Sequence, residues 1–234
     1  MSKYENLIEA SQEGDYAEVK RYIDEGTDVN THDDYGRTAL MKACSWGHQD
    51  IAVLLIEKGA DVNSMDDFGC TALIDASLVG HTDIVRLLLE KGADTVCRDD
   101  EGSTALMLAC RKGKTDIVKL LMDAEKKGKS DQQYNAAFFE ACCKGYMDIV
   151  KLFIEKGVDV NAEYNLIAAA EKGFLEMVEL LINNGADVNR ETNIGLTALG
   201  AATNNFHPKI CMILEKHGAK IKTDSHVDDE DLDQ

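Results

Sequence analysis

The sequence predicts an all-α repeat solenoid of about seven helix-turn-helix units carrying short β-hairpin fingers, and three observations support it. Thr38-Ala39-Leu40-Met41-Lys42-Ala43-Cys44-Ser45-Trp46-Gly47-His48 returns as Thr71-Ala72-Leu73-Ile74-Asp75-Ala76-Ser77-Leu78-Val79-Gly80-His81, 33 residues later. Gly14, Gly47, Gly80 and Gly113 keep the same spacing of 33, and Gly26, Gly59 and Gly92 follow twelve residues after the first three. Between these glycines the apolar residues recur at helical spacing. A fixed period in this range is the mark of stacked supersecondary units, each too small to bury its apolar face alone.

Each unit opens on a Thr before a short apolar stretch. Thr38, Thr71, Thr104 and Thr197 are candidate N-caps, their hydroxyls suited to the free N–H groups of a first helix. A second helix follows, as in Asp50-Ile51-Ala52-Val53-Leu54-Leu55-Ile56-Glu57-Lys58, with Lys58 near the negative helix end. The next glycine takes the left-handed turn that stops it. Gly59-Ala60-Asp61-Val62-Asn63 and Asp66-Asp67-Phe68-Gly69 are then too short for a helix and suit a hairpin turn.

These residues resemble ankyrin repeats, with Thr-Ala-Leu for the family's Thr-Pro-Leu, Gly-His opening the second helix and Gly-Ala-Asp-Val-Asn closing the unit. The resemblance covers roughly residues 4 to 222. It implies helix pairs stacked side by side, with hairpins at right angles and a concave face. Units are placed near 4–32, 33–65, 66–98, 99–130, 131–162, 163–190 and 191–222, with 223–234 an acidic, disordered tail. Two central fingers are expected to be shortened or irregular. Gly145 to Gly173 is only 28 residues, and Asn161-Ala162-Glu163-Tyr164-Asn165 has no turn glycine. Before it, Glu125 stands where a helix-ending glycine is expected, and Lys126-Lys127-Gly128-Lys129-Ser130 reads as an irregular loop. Met41, Ile74 and Met107 replace a family histidine that bonds between repeats, so that network is expected to be missing and stability to rest on stacked apolar surface.

Composition narrows the function classes. No run approaches the roughly 18 apolar residues of a membrane span, and Met1-Ser2-Lys3-Tyr4-Glu5 lacks a basic and apolar leader, so a cytoplasmic monomer with no membrane association is expected. The net charge is −18, with six acids in Asp224 to Asp233. Duplex nucleic acid, whose phosphates require Lys and Arg, is an unsuitable ligand, and a basic protein partner is attracted instead. The same acidity also serves simply to keep the chain soluble. Of seven cysteines, Cys44, Cys110 and Cys142 share one repeat position and read as small buried residues. Cys142-Cys143 lacks zinc-ligand spacing.

No nucleophile with a base, carboxylate pair or phosphate-binding glycine loop stands out from the repeat, so neither an enzyme nor a cofactor is expected. His48 and His81 recur with the unit and read as structural. Asp33-Asp34, Asp66-Asp67 and Asp99-Asp100-Glu101 read as solvated finger acids. Stacked helices about 8 to 10 Å apart keep neighbouring pairs from sharing a calcium ion at about 2.3 to 2.6 Å.

Positions that vary while the frame repeats are free to meet a ligand. The resemblance places them at the finger tips and at the two residues before the glycine that ends the first helix. In this chain they are Tyr35, Arg37, Ser45 and Trp46, then Phe68, Cys70, Leu78 and Val79, then Glu101, Ser103, Arg111 and Lys112, and finally Cys143 and Lys144. The single Trp lies here, with Tyr35, Phe68, Leu78 and Val79, the makings of an interface hot spot. The alternative is that Trp46 and Leu78 fold back over the helix pair. Arg111, Lys112 and Lys144 either read an acidic group of the partner or pair with nearby acids.

The expected function is a non-catalytic protein-binding module or adaptor presenting a rigid concave groove. The alternative is an inhibitor or antitoxin-type immunity protein that occludes a basic enzyme such as a nuclease. By the same resemblance, Leu55 to Asn63 and Leu181 to Asn189 fit a pattern that asparagine hydroxylases accept, while Asn63 and Asn189 are otherwise expected to close their own turns.

Overall fold

A computed structural model describes residues 5–124 and 131–220. Glu125, the Lys126–Ser130 loop and the acidic tail therefore lie outside the described residues. Fourteen helices are present among those described: α1 (Leu7–Gln12), α2 (Tyr16–Asp24), α3 (Ala39–Trp46), α4 (Gln49–Glu57), α5 (Ala72–Val79), α6 (Thr82–Glu90), α7 (Ala105–Arg111), α8 (Thr115–Ala124), α9 (Asp131–Lys144), α10 (Met147–Glu155), α11 (Asn165–Lys172), α12 (Leu175–Asn183), α13 (Ala198–Asn204) and α14 (Pro208–Lys216). There is no sheet among the described residues, only isolated bridges at His32–Thr38 and Glu191–Thr197.

The chain divides into two compact units at Lys156. In the first, α1, α3, α5, α7 and α9 stack in sequence, and each packs on the helix that follows it, so α2, α4, α6, α8 and α10 form a second layer. In the second unit, α11 packs on α13 and α12 on α14 in the same way. The core lies between the layers. Leu40, Leu73, Leu106 and Phe138 come from one repeat position and Leu55, Leu88, Leu121 and Phe153 from another, all buried. Burial of one such side chain contributes about 1.5–3 kcal/mol. The aromatic pair stands where α9 is lengthened: Phe153 packs edge-on against Tyr134, with ring centroids 5.8 Å apart, and against Phe138 at 5.7 Å.

The helix starts follow the sequence. Thr38, Thr71, Thr104 and Thr197 each accept a bond from the backbone N–H three residues on, at 3.3, 3.3, 3.4 and 3.1 Å. Gly47 ends α3 with φ +84°.

Polar bonds between neighbouring units add to the apolar stacking on which stability was expected to rest. Though the histidine of the first helix is absent, the histidine that opens the second helix reaches back instead. His48 Nε2 donates to the Gln12 carbonyl at 2.9 Å, His81 Nε2 to Ser45 at 3.1 Å and His207 Nε2 to Glu171 at 3.1 Å. A second ladder comes from asparagine. Asn63 donates to the Gly92 carbonyl and accepts from Asp94 N–H, and Asn30, Asn161 and Asn189 make the corresponding pairs. Asn63 and Asn189 thus tie successive units together. Their own turns are closed by Asp61 and Asp187, whose carboxylates accept the asparagine N–H at 2.9 Å.

Candidate functional site

The first acid of each finger shapes the loop that carries the site. Asp33 Oδ1 accepts from the N–H groups of Tyr35 and Arg37, Asp66 Oδ1 from Phe68 and Cys70, and Asp99 Oδ1 from Glu101 and Ser103, at 2.7 to 3.0 Å. This corrects the solvated reading: Asp66 is buried, and the three acids are internal caps of their turns. Asp34, Asp67 and Asp100, one residue on, are exposed. Successive tips are also bonded to each other, Asp67 N–H to the Tyr35 carbonyl at 3.0 Å and Asp100 N–H to the Phe68 carbonyl at 2.9 Å. Tyr35, Phe68 and Glu101 therefore stand in a row of fixed spacing.

A second row is formed by the last residues of the first helices. Trp46 ends α3 and is 60% exposed, and Val79 ends α5 and is 45% exposed. Tyr35 and Phe68 are 59% and 47% exposed, so the aromatic side chains do not fold back into the core. Leu78 is half-buried, as are Ser45, Cys70 and Cys143. Ser103 is buried.

The cations divide. Arg111 is engaged by Glu140 at 2.8 Å, by the Ser103 hydroxyl at 3.4 Å and by Glu101 at 3.8 Å. Arg37 faces Asp66 at 3.5 Å and lies 5.8 Å from the Tyr35 ring centroid. Lys112 and Lys144 are exposed, and no ion pair engages either among the described residues.

Between the two rows lie residues that the sequence reading passed over. Lys42 and Asp75 sit one helical turn before Trp46 and Val79, on the face they share. Lys42 pairs with Asp33 at 3.9 Å. The Asp75 carboxylate has no bonded donor among the described residues, and burial, reinforced by the charge on Asp66, pushes it up to about 6 despite Arg37 and Lys42. The signal was present in the sequence: positions 42, 75 and 108 read Lys, Asp and Leu while the frame around them repeats.

Burial holds three of the cysteines in the thiol form. Burial pushes the Cys44 and Cys142 thiols well up, and Cys70 is pushed to about 12 by burial and then by Asp66, which disfavours the reactive thiolate. Among the described residues no group of three or more His, Cys, Asp or Glu side chains is placed to hold a metal.

Comparison with known proteins accords with this geometry. A family profile described as ankyrin repeats in three copies matches residues 7–99, 95–164 and 162–225. The chain belongs to the ankyrin-repeat family. Its repeats are generally non-catalytic modules of protein–protein interaction. Among solved structures, the human ASB11 ankyrin repeat domain is similar with a TM-score of 0.80 at 26% identity, over 90% of this chain and 98% of that one. No curated protein matches the sequence. No helix among the described residues of this ankyrin-repeat chain is long and apolar enough to cross a membrane.

Proposed function

We propose that this ankyrin-repeat chain is a non-catalytic binding module or adaptor whose partner docks on the surface carried by residues 33–112, between the finger row and the ends of α3, α5 and α7. The observation that supports it most is the exposure of Tyr35, Trp46, Phe68 and Val79 together, on fingers locked by bonds between their tips. A preformed surface has little ordering cost to meet on association, and aromatic side chains held in the open are the usual anchors of an interface. Arg37 and Arg111 shape the surface through their ion pairs, while Lys112 and Lys144 are available to an acidic group of the partner. The frame is read as seven units over residues 1–222, two central fingers being reduced: residues 131–135 are helical in α9, and residues 157–164 run into α11 without the finger bonds. The protein is taken to act in the cytoplasm as a monomer, without duplex nucleic acid or membrane.

A pull-down from native cytosol with the wild type and with Trp46→Ala/Phe68→Ala tests this. Two lost hot-spot aromatics, at about 2 kcal/mol each, reduce partner recovery by well over tenfold with helicity unchanged. Equal recovery by the folded double variant overturns the siting. An inhibitor of a basic enzyme is the second reading, favoured by the exposed acids Asp34, Asp67 and Asp100 beside the aromatics. It requires that association slow steeply between low and physiological salt and that the partner's activity be blocked.

A further inference from the structure

Among the described residues, ion pairs or backbone N–H bonds account for all but one of the inner acids of this surface, Asp99 through the N–H groups of Glu101 and Ser103. Asp33 is matched by Lys42 and Asp66 by Arg37, each acid also holding two backbone N–H groups. Asp75 is left over, half-buried on α5 with no bonded donor among the described residues. It stands one helical turn before Val79 and near enough to Arg37 and Asp66 of the fingers to feel their charges, so the unmatched carboxylate lies on the surface that carries the exposed aromatic side chains. We infer that Asp75 is the point at which this surface reads an arginine of its partner. A protein segment laid across α3 and α5 brings its guanidinium down between the two rows and closes a charge-assisted bond on the Asp75 carboxylate.

The chemistry favours a cation, and arginine among cations. Desolvating an unpaired carboxylate is costly, and an incoming cation removes that cost where an apolar or acidic side chain adds to it. The guanidinium fork matches a carboxylate through two parallel bonds and its flat face stacks on aromatic rings, which a lysine ammonium does less well. The exposed acids Asp34, Asp67 and Asp100 add the same sign of field around the entrance. The inference rests on the binding surface proposed above and names the chemistry of its occupant.

Binding through Asp75 must follow its protonation. From α3 it is faced by Lys42 and the Cys44 thiol, and from the fingers by Arg37, Asp66 and Cys70. On its other side, α7 carries a single charged residue, Arg111, which Glu140 holds, and Asp83, Arg86 and Glu90 of α6 are exposed. Free Asp75 titrates at about 6. An arginine bound to it favours the charged form, so affinity falls as pH drops through that value, by about ninefold from about pH 7 to about pH 5.

The test selects a random peptide library displayed on phage at about pH 7 on the wild type, Asp75→Asn and Trp46→Ala/Phe68→Ala, all full-length. Wild-type pools are expected to enrich arginine at one position, with selected peptides losing about ninefold in affinity at about pH 5. Pools selected on Asp75→Asn, or on Asp75→Ser should the first variant lose helicity, are expected to lack the arginine and the pH dependence. Winners without arginine, or an unchanged affinity and pH profile in the folded Asp75 variants, overturn this inference alone when recovery still depends on Trp46 and Phe68. Recovery no greater on the wild type than on the Trp46/Phe68 variant overturns the binding surface itself and this inference with it.

Discussion

Replacing Gly47 by alanine measures how tightly the junction between α3 and α4 is built. The glycine has φ +84°, and an added methyl would lie 2.6 Å from Cε1 and 2.9 Å from Nδ1 of His81 in the next unit. The left-handed backbone alone costs a side-chain-bearing residue about 1–2 kcal/mol. Room for the methyl is made only by moving the imidazole, which breaks its 3.1 Å bond to the Ser45 carbonyl and forfeits a further ~1 kcal/mol. The total is about 2–3 kcal/mol. Gly59→Ala is the control: its φ is +92° and nothing lies within 4 Å of the added methyl, so only the backbone cost of about 1–2 kcal/mol applies. Urea unfolding followed by circular dichroism reads both as shifts in midpoint at unchanged slope. In a His81→Ala background the extra cost of Gly47→Ala should vanish, a coupling of about 1 kcal/mol. Equal costs for the two glycine variants, with Gly47→Ala and His81→Ala strictly additive, would refute the idea that the ring packed on Gly47 ties the units together.

Two further outcomes follow from single residues. Asp75 titrates at about 6 when folded against 3.8 for a free aspartate, so folding disfavours its charged form; its cost to stability is full above about pH 6 and disappears as pH falls towards 4. Asp75→Asn should therefore raise stability at about pH 7 by on the order of 2 kcal/mol and leave it unchanged near pH 4, and a gain that does not depend on pH would show that charge is not its cause. Phe206 is the one non-glycine residue with positive φ among those described, at +59°, and it is 88% exposed at the end of α13, where the repeat elsewhere places glycine. Phe206→Gly relieves about 1–2 kcal/mol of backbone strain against about 0.5–1 kcal/mol of added chain entropy, so the urea midpoint should rise, and a fall would mean that the ring is held by contacts it needs.

Much of the frame was legible because it repeats. A Thr that caps α3 must cap α5, α7 and α13 as well, since each faces the same free N–H groups, and the structure places Thr38, Thr71, Thr104 and Thr197 accordingly. The aromatic surface was legible for the opposite reason: Trp46 and Phe68 interrupt the pattern where burial does not demand an apolar residue. The acids of the fingers were misread because one pair of letters does two jobs. Asp66 turns inward to two backbone N–H groups while Asp67 stays in solvent, and that split depends on loop geometry. Asp75 was passed over because its neighbours on α5 belong to the frame.

The sequence by itself determined the unit, its helix caps, its left-handed stops and the buried positions, because each of these is settled within about 33 residues by local hydrogen bonding and apolar spacing. Only the tertiary structure decided what passes between units. The bonds from Asn63 to Gly92 and Asp94 and from His81 to Ser45 join groups that come together only when one unit stacks on the next. The same stacking pairs Arg37 with Asp66 across two fingers and leaves Asp75 with no bonded donor among the described residues, because which charges are matched depends on distances set by the neighbouring unit.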